Sequence, residues 1–387
     1  MPRASLPVYD HLRTCTQCLL PETQETLVFD GAGVCNVCRQ IEYKQTQVDW
    51  AAKEREFVAL IEQYRDRHDY DCIVPFSGGK DSTFTLYTLV AKYRVKPLVV
   101  RFDHGFLRST VLENSTRTIK KLGVDVLHFR PNWRVVQKLM RESLRRKGDF
   151  CWHCHTGIFS YPMHIAVKFK IPLVIWGEPS AEYVSYYTYE QPEEVDEKRF
   201  NRFVNLGITA EDMHGMLDGT VTLRDLKPFT YPELRDLRAL NFRSVCLGSF
   251  IPWDVRAQAE LIRRELGWKE ERVEGVPPQY GYEKIECAMQ GVRDYLKFLK
   301  RGFGRTAHLV AIDLRNGRIT PEEAVALIHQ YDGQRPASLD VFLEYVGLSE
   351  AEFMDIARQH VIDPHVPEVS KIPRGEPLWD QALWDRS

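Results

Sequence analysis

Hydrophobic positions follow three regimes along the chain. Up to residue 48 they keep no period, and turn residues and cysteines dominate. From 50 to about 69, Phe57, Leu60, Ile61 and Tyr64 recur at helical spacing. Short apolar runs then alternate with helical patterns. The runs lie at 72–76, 97–102, 124–129, 172–176 and roughly 244–250, and the helical patterns include 81–93, 110–122 and 133–146. Nearly continuous apolar strands between helices predict an α/β fold: an open parallel sheet with helices on both faces. The polar, acidic stretch 190–198 predicts a surface loop or insertion.

Beyond about residue 281 the strand signal fades and helices take over. In "ITPEEAVALIHQY", Thr320 is placed as N-cap, Pro321 at the first helical position and Glu323 as the return partner of a capping box. Ser349 and Glu352 repeat the pattern. The tail beyond Val366 is proline-rich and reads as irregular. Three regions result: a cysteine-rich module at 1–48, an α/β domain at 49–280 and a helical region at 281–387.

Composition narrows the function. The 387 residues carry a net charge of −2, so nothing advertises a broad surface for nucleic acid or membrane. No apolar run approaches the roughly 18 residues of a membrane span, and the first residues lack the apolar core of a signal peptide. A soluble, cytoplasmic chain is the expectation. In that setting nine cysteines, an odd number, point to metal or redox chemistry rather than disulfides.

Two motifs carry chemistry. The first, Ser77-Gly78-Gly79-Lys80-Asp81-Ser82, falls between the first core strand and its helix. Ligands of open parallel sheets bind outside the carboxyl ends of the strands. There the glycines let backbone N–H groups converge on an anion, the helix start adds its positive end, and Lys80, Ser77 and Ser82 add charge and hydroxyls. The Walker spacing is missing, which disfavours a kinase or ordinary NTPase. The second motif is Cys15-x2-Cys18, sixteen residues, then Cys35-x2-Cys38, the spacing of a four-thiolate zinc ribbon. Its two knuckles would be joined by a strand–turn–strand, and Zn²⁺ would supply much of the folding energy of so small a module. A third pair, Cys151 and Cys154, is followed by His155. It can join His153 or His155 in a second metal site, join Cys246 at another strand end, or simply pack near the crevice. Cys72 and Cys287 read as core thiols. Arg301, Arg305, Arg315 and Arg318 cluster before a capped helix; one or two suit a substrate phosphate or carboxylate, against the alternative of a solvated basic face.

The SGGKDS turn resembles the PP-loop of the ATP pyrophosphatase superfamily, over residues 70–250. Members share an adenine nucleotide alpha hydrolase-like fold, activate a carbonyl oxygen by adenylylation and release pyrophosphate. The resemblance implies that Ser77, Gly78, Gly79, Lys80, Asp81 and Ser82 hold ATP, with Lys80, Asp81 and Ser82 closest to the chemistry and Asp81 helping to place Mg²⁺. It also implies that Asp103 lies near the nucleotide and that Gly177 and Glu178 line the substrate side. Some tRNA-thiolating members hold a [4Fe-4S] cluster on a Cys-x-x-Cys pair and a distant third cysteine, a role open here to Cys151, Cys154 and Cys246.

A narrower resemblance joins "CTQCLLPET", "FDGAGVCNVCR", "SGGKDST", "FCWHCHTG" and "NGRITPEEAVALIHQYDG". In this order they resemble the N-acetyl sugar amidotransferase family of O-antigen and lipopolysaccharide biosynthesis. That family implies conversion of an acetamido group on a nucleotide-linked N-acetyl sugar to an acetamidino group, through an adenylylated imidate that ammonia attacks. No cysteine here has the setting of a glutaminase nucleophile: residue 2 is Pro, and no cysteine has glycines at both −2 and +2. A separate glutaminase and ammonia-channel pair, similar to imidazole glycerol phosphate synthase, is therefore expected as partner. The same parts leave open a PP-loop tRNA sulfurtransferase, against which the absence of a basic RNA-binding module counts. A non-catalytic zinc-ribbon adaptor that senses nucleotide is the third reading.

Overall fold

A computed structural model describes residue 9 and residues 11–182, 188–190, 192–217 and 219–367, apart from the side chains of 202 and 203. The chain divides into two compact units. One comprises the described residues of 49–179 and 191–270; the other comprises the described residues up to Val48 and those of 180–190 and 271–367.

The first unit is built on five parallel strands: β1 (Cys72–Pro75), β2 (Pro97–Phe102), β3 (Asp125–Phe129), β4 (Leu173–Trp176) and β5 (Arg243–Cys246). Their order across the sheet is β3-β2-β1-β4-β5. The chain adds β2 and β3 on one side of β1, then returns to add β4 and β5 on the other. The order therefore reverses at β1, and the crevice above its carboxyl end is the switch point where such sheets take ligands. Every residue of β2 is buried, as the apolar run predicts, whereas β3 at the sheet edge is only partly covered.

Alternation along the strands sorts the two faces. Ile73, Leu98, Val100 and Val174 join Met163, Ile165 and Ala166 in one core, so the helix Trp152–Phe169 covers that face. Phe102 joins Leu139, Trp152 and Phe229 in a second core, and a Cβ on Gly157 would stand 2.1 Å from the Phe102 ring. The helices Lys80–Tyr87 and Ser109–Leu122 are crossovers running the same way across the sheet. Right-handed connection puts both on the opposite face, with Val74, Val99 and Arg101.

Strand and helix placements follow the sequence pattern closely, with three differences. The 81–93 helix is α-helical only to Tyr87 and continues as a wider π-type turn over Thr88–Lys92. The last strand begins at Arg243 and stops at Cys246, where Leu247–Ser249 turns away as a short 3-10 segment. The 190–198 stretch is not a plain surface loop. Glu193 and Val195 are buried, Glu194 bridges to Val245, and Val195 donates to the Ser244 carbonyl at 2.8 Å. Buried Glu193 is paired with Arg199, which reconciles an acidic sequence with this position beside β5.

In the second unit, Thr14 and Phe29 bridge to Pro21 and Cys35, and a helix, Asn36–Thr46, opens at the second cysteine knuckle. A strand–turn–strand was the expectation; these are isolated bridges followed by a helix, capped by the Cys35 sulfur accepting from the Cys38 N–H. Helices Gln290–Arg301, Arg305–Arg315, Pro321–Tyr331, Ser338–Val346 and Glu350–Gln359 follow. Both predicted capping boxes, Thr320 with Glu323 and Ser349 with Glu352, are present. The segment up to Val48 packs with these helices: Thr23 Oγ1 donates to the Arg301 carbonyl at 2.6 Å. No described helix is long and apolar enough to cross a membrane. The proline-rich tail beyond 367 lies outside the described residues.

Candidate functional site

The glycine turn sits where the strand order reverses. Gly78 has φ +88, and a Cβ there would meet Ser115 Oγ at 2.3 Å, so only glycine fits the approach to helix Ser109–Leu122. Gly79 is the N-cap of helix Lys80–Tyr87, and no side chain caps its first turn. The serines serve the turn itself. The Ser77 and Gly78 N–H groups donate to Ser82 Oγ at 3.2 and 3.1 Å, and the Gly79 N–H donates to Ser77 Oγ at 3.2 Å. The convergence of glycine N–H groups read from the sequence is thus held on hydroxyls. The uncapped start of the helix is what remains to face an anion. Trp268 fastens the turn from outside, its indole N–H donating to the Gly78 carbonyl at 3.1 Å.

Lys80 is 3% exposed and occupies the first helical position, where the helix dipole disfavours a cation. Its ammonium lies 2.8 Å from Asp81 Oδ2. The other carboxylate oxygen, Asp81 Oδ1, is buried with no hydrogen-bond partner. An orphaned oxygen beside a buried lysine and an uncapped helix start is the donor set expected where a metal-bound polyphosphate docks. The residues present fit Mg²⁺ and phosphate together.

The end of β4 closes the other side. A Cβ on Gly177 would meet Thr85 Oγ1 at 2.7 Å and the Asp81 carbonyl at 3.3 Å. Gly177 also accepts from the Gly248 N–H at 3.1 Å, tying the ends of β4 and β5 together. Glu178 follows, half-buried. Asp103, 1% exposed, directly follows β2. Its Oδ1 accepts from the Gly105 N–H at 2.8 Å, and its Oδ2 lies 2.6 Å from Arg130 and 3.4 Å from His128. Burial pushes this carboxyl up, but the Gly105 N–H and the neighbouring cations hold it below its usual range. Asp103 therefore acts first as an organiser of the strand ends.

Three further buried groups lie in this region: His104 and Arg101 escaped the sequence reading, and His153 entered it only as a candidate metal ligand. His104 is held neutral by burial, down to about 4 despite Asp103, and its Nδ1 accepts from the Phe106 N–H at 3.3 Å. Burial also lowers His153, to about 3, and neither of its ring nitrogens has a partner. Arg101 is 5% exposed, with Nε and Nη2 buried and unpartnered. The only signal for Arg101 was an arginine inside an otherwise apolar strand, "PLVVRF".

The cysteines divide sharply. Cys15, Cys18, Cys35 and Cys38 are all buried, with their sulfurs within 4.8 Å of one another. Cys15 to Cys38 is 3.8 Å and Cys18 to Cys35 is 3.7 Å. A tetrahedron with metal–sulfur bonds of about 2.3 Å has edges of about 3.8 Å, so the four thiolates fit zinc. The Cys35 N–H donates to Cys15 Sγ at 3.2 Å. Arg315, from helix Arg305–Arg315, donates to Cys38 Sγ at 3.4 Å and Cys18 Sγ at 3.3 Å.

Cys151, Cys154 and Cys246 are not brought together. Among the described residues, no second group of three metal-ligating atoms lies within 4.8 Å of one another, with or without His153 and His155. Cys151 opens helix Trp152–Phe169, whereas Cys246 ends β5, pairs in register with Trp176 and is packed in the core with Met163, Ile165 and Ala166 of that helix. Burial, with Glu178 and Glu194 adding, pushes the Cys246 thiol up to about 11, opposite to a reactive thiolate.

The four arginines near the C-terminal helices also find protein partners. Arg301 pairs with the Thr23 carbonyl and Glu25, Arg305 lies 3.1 Å from Asp294, Arg315 meets the thiolates, and Arg318 lies 3.5 Å from Asp313. Their charge is spent within their own unit, so the substrate role read from their clustering gives way to a structural one.

Comparison with known proteins adds three findings. Residues 271–366 match the family described as "LPS biosynthesis protein WbpG-like, C-terminal domain". A protein of Methanocaldococcus jannaschii described only as uncharacterized is 26% identical over 164 residues, 42% of this chain and 58% of that protein. A glutamine-hydrolyzing GMP synthase of Pyrobaculum aerophilum is 31% identical over 87 residues, 22% of this chain and 17% of the synthase. The chain thus spans less than two thirds of either relative.

Proposed function

We propose that this chain is the synthetase component of an ATP-dependent amidotransferase in surface-glycan biosynthesis. One observation carries the reading: an uncapped helix start with buried Lys80 and an orphaned Asp81 oxygen, set where the strand order reverses. The match of residues 271–366 to a lipopolysaccharide-biosynthesis family supports the pathway class, and the GMP synthase likeness supports ATP-linked amidation. The substrate is a nucleotide-linked N-acetyl sugar, and the product carries an acetamidino group.

In this reading Lys80 and the helix start bind the polyphosphate and stabilise charge on the departing pyrophosphate. Bound Mg²⁺ would screen the phosphate oxygens, with Asp81 Oδ1 as its protein ligand. Gly177, lacking a side chain, lets the first turns of helix Lys80–Tyr87 pack directly against the end of β4. The amide oxygen attacks the α-phosphorus of ATP, pyrophosphate leaves, and ammonia adds to the imidate carbon as AMP departs. Ammonia comes from a separate glutaminase. Zinc on Cys15, Cys18, Cys35 and Cys38 is structural, since four protein thiolates leave no open position.

The test is direct. Purified chain is incubated with ATP, Mg²⁺, ammonium and candidate nucleotide sugars, and AMP is measured together with the sugar's mass. AMP formation that requires an N-acetyl sugar, with exchange of O for NH in the product, is expected. Ammonium should serve and glutamine should not. Sugar-independent AMP formation, or turnover with glutamine alone, contradicts the proposal.

A further inference from the structure

Arg101 is the least satisfied charge among the described residues of the sheet. Its neighbours on β2, Val100 and Phe102, point into the two apolar cores, so strand alternation turns Arg101 to the other face, with helices Lys80–Tyr87 and Ser109–Leu122. On that face it pairs in register with His128 of β3. On its other side the Phe76 N–H donates to the Val100 carbonyl at 2.9 Å, which sets Arg101 beside the chain as it enters the glycine turn.

The carboxylate two residues along is already taken. Asp103 spends one oxygen on the Gly105 N–H and the other on Arg130 and His128, and forms no hydrogen bond with Arg101. Arg101 therefore keeps Nε and Nη2 buried and without partners. Burial, opposed by Asp103, depresses its basicity, yet a guanidinium stays charged at any physiological pH. A buried charge without partners is costly to the fold, and replacing one with an apolar side chain often stabilises a protein.

We infer that Arg101 is a ligand-binding residue whose Nε–Nη2 edge takes two oxygens of a diphosphate bound across the glycine turn. The planar edge presents two parallel N–H donors, the fork that matches phosphate oxygens. Lys80 and the helix start bind one phosphoryl group, and Arg101, on the neighbouring strand, takes the next. The inference rests on the reading of the turn as a polyphosphate cradle. Two sources of a diphosphate are open, ATP and the nucleotide sugar, and the two arms of the experiment separate them.

Titration calorimetry with ATP, UDP-N-acetylglucosamine, inorganic pyrophosphate and orthophosphate compares wild type with Arg101→Met. Loss of two charge-assisted hydrogen bonds predicts pyrophosphate binding weakened about 10²- to 10⁴-fold, with orthophosphate nearly unchanged. ATP affinity falls in parallel if the nucleotide supplies the diphosphate; UDP-N-acetylglucosamine affinity falls instead if the sugar carrier does. The ligand-free variant should melt at or above the wild-type temperature, which a merely structural arginine would not allow. Should Arg101→Met fail to fold, Arg101→Lys keeps the charge without the fork and should still weaken pyrophosphate at least severalfold. Pyrophosphate affinity within twofold of wild type in the folded variant overturns the inference. Failure of wild type to bind ATP and pyrophosphate at all overturns the cradle reading instead.

Discussion

The cysteine centre and the glycine turn are opposite kinds of polar site. At the cysteine centre four buried sulfurs face one another, backbone N–H groups donate to Cys15 and Cys35, and Arg315 lies against Cys18 and Cys38. With a metal ion the centre is complete. At the glycine turn the serine hydroxyls satisfy the loop, but Asp81 Oδ1 and the Arg101 Nε and Nη2 atoms are buried with nothing to bond. Buried polar groups without partners are rare because they cost stability. Completeness marks a site that holds the protein together; incompleteness marks one that waits for a ligand.

The largest test of that contrast is Lys80→Ala. If the turn holds the polyphosphate, AMP formation should fall by about 10²–10³-fold, with the melting temperature little changed. Near-normal turnover would remove the cradle from the comparison. Next comes Arg315→Gln at the complete site. Groups that hydrogen-bond metal ligands are typically worth about 10–100-fold in metal affinity, so chelator-driven zinc release should accelerate by about that factor. AMP formation by the zinc-loaded variant should stay near wild type. A variant that keeps its zinc as tightly as wild type would make Arg315 an ordinary surface cation.

Acid should act on the strand ends. His104 and His153 stand at about 4 and about 3 in the fold, against an ordinary 6.5, because burial disfavours the imidazolium. Between those values and 6.5 the unfolded chain binds more protons, so stability should fall as pH drops from 6.5 toward 4 and be unaffected above 6.5. Denaturant midpoints measured across that range check the sign, and His104→Asn, which keeps an acceptor for the Phe106 N–H, should flatten the slope. A midpoint that rises on acidification would mean these rings are solvated. The smallest expected effect is Cys246→Ala. With its thiol pushed up to about 11 and packed in the core, it should leave zinc content unchanged and AMP formation within about twofold. Loss of iron or of activity in that variant would restore a three-cysteine site.

Much of this was legible locally. Capping boxes at Thr320 and Ser349 and the strand over Pro97–Phe102 were read within a residue or two, because caps and apolar runs act over a few bonds. The Cys-x2-Cys pairs likewise state their spacing in the chain. The helix Asn36–Thr46 was missed because its sequence, "NVCRQIEYKQT", carries only Val37, Cys38 and Ile41 on its buried face. Its apolar stripe is too narrow to show as a period.

By itself the sequence determined the five strands of the sheet and the capped C-terminal helices, where the glycine turn falls, and which four cysteines can share a metal. Those properties depend on neighbours in the chain. Only the tertiary structure decided where long side chains spend their charge and which distant residues meet. It sent Arg315 to the thiolates, packed Cys246 in the core of the sheet instead of in a ligand group with Cys151 and Cys154, and left Arg101 unpartnered beside the turn. A guanidinium reaches whichever acceptor the packing of other elements brings close, and no pattern of nearby residues encodes that choice.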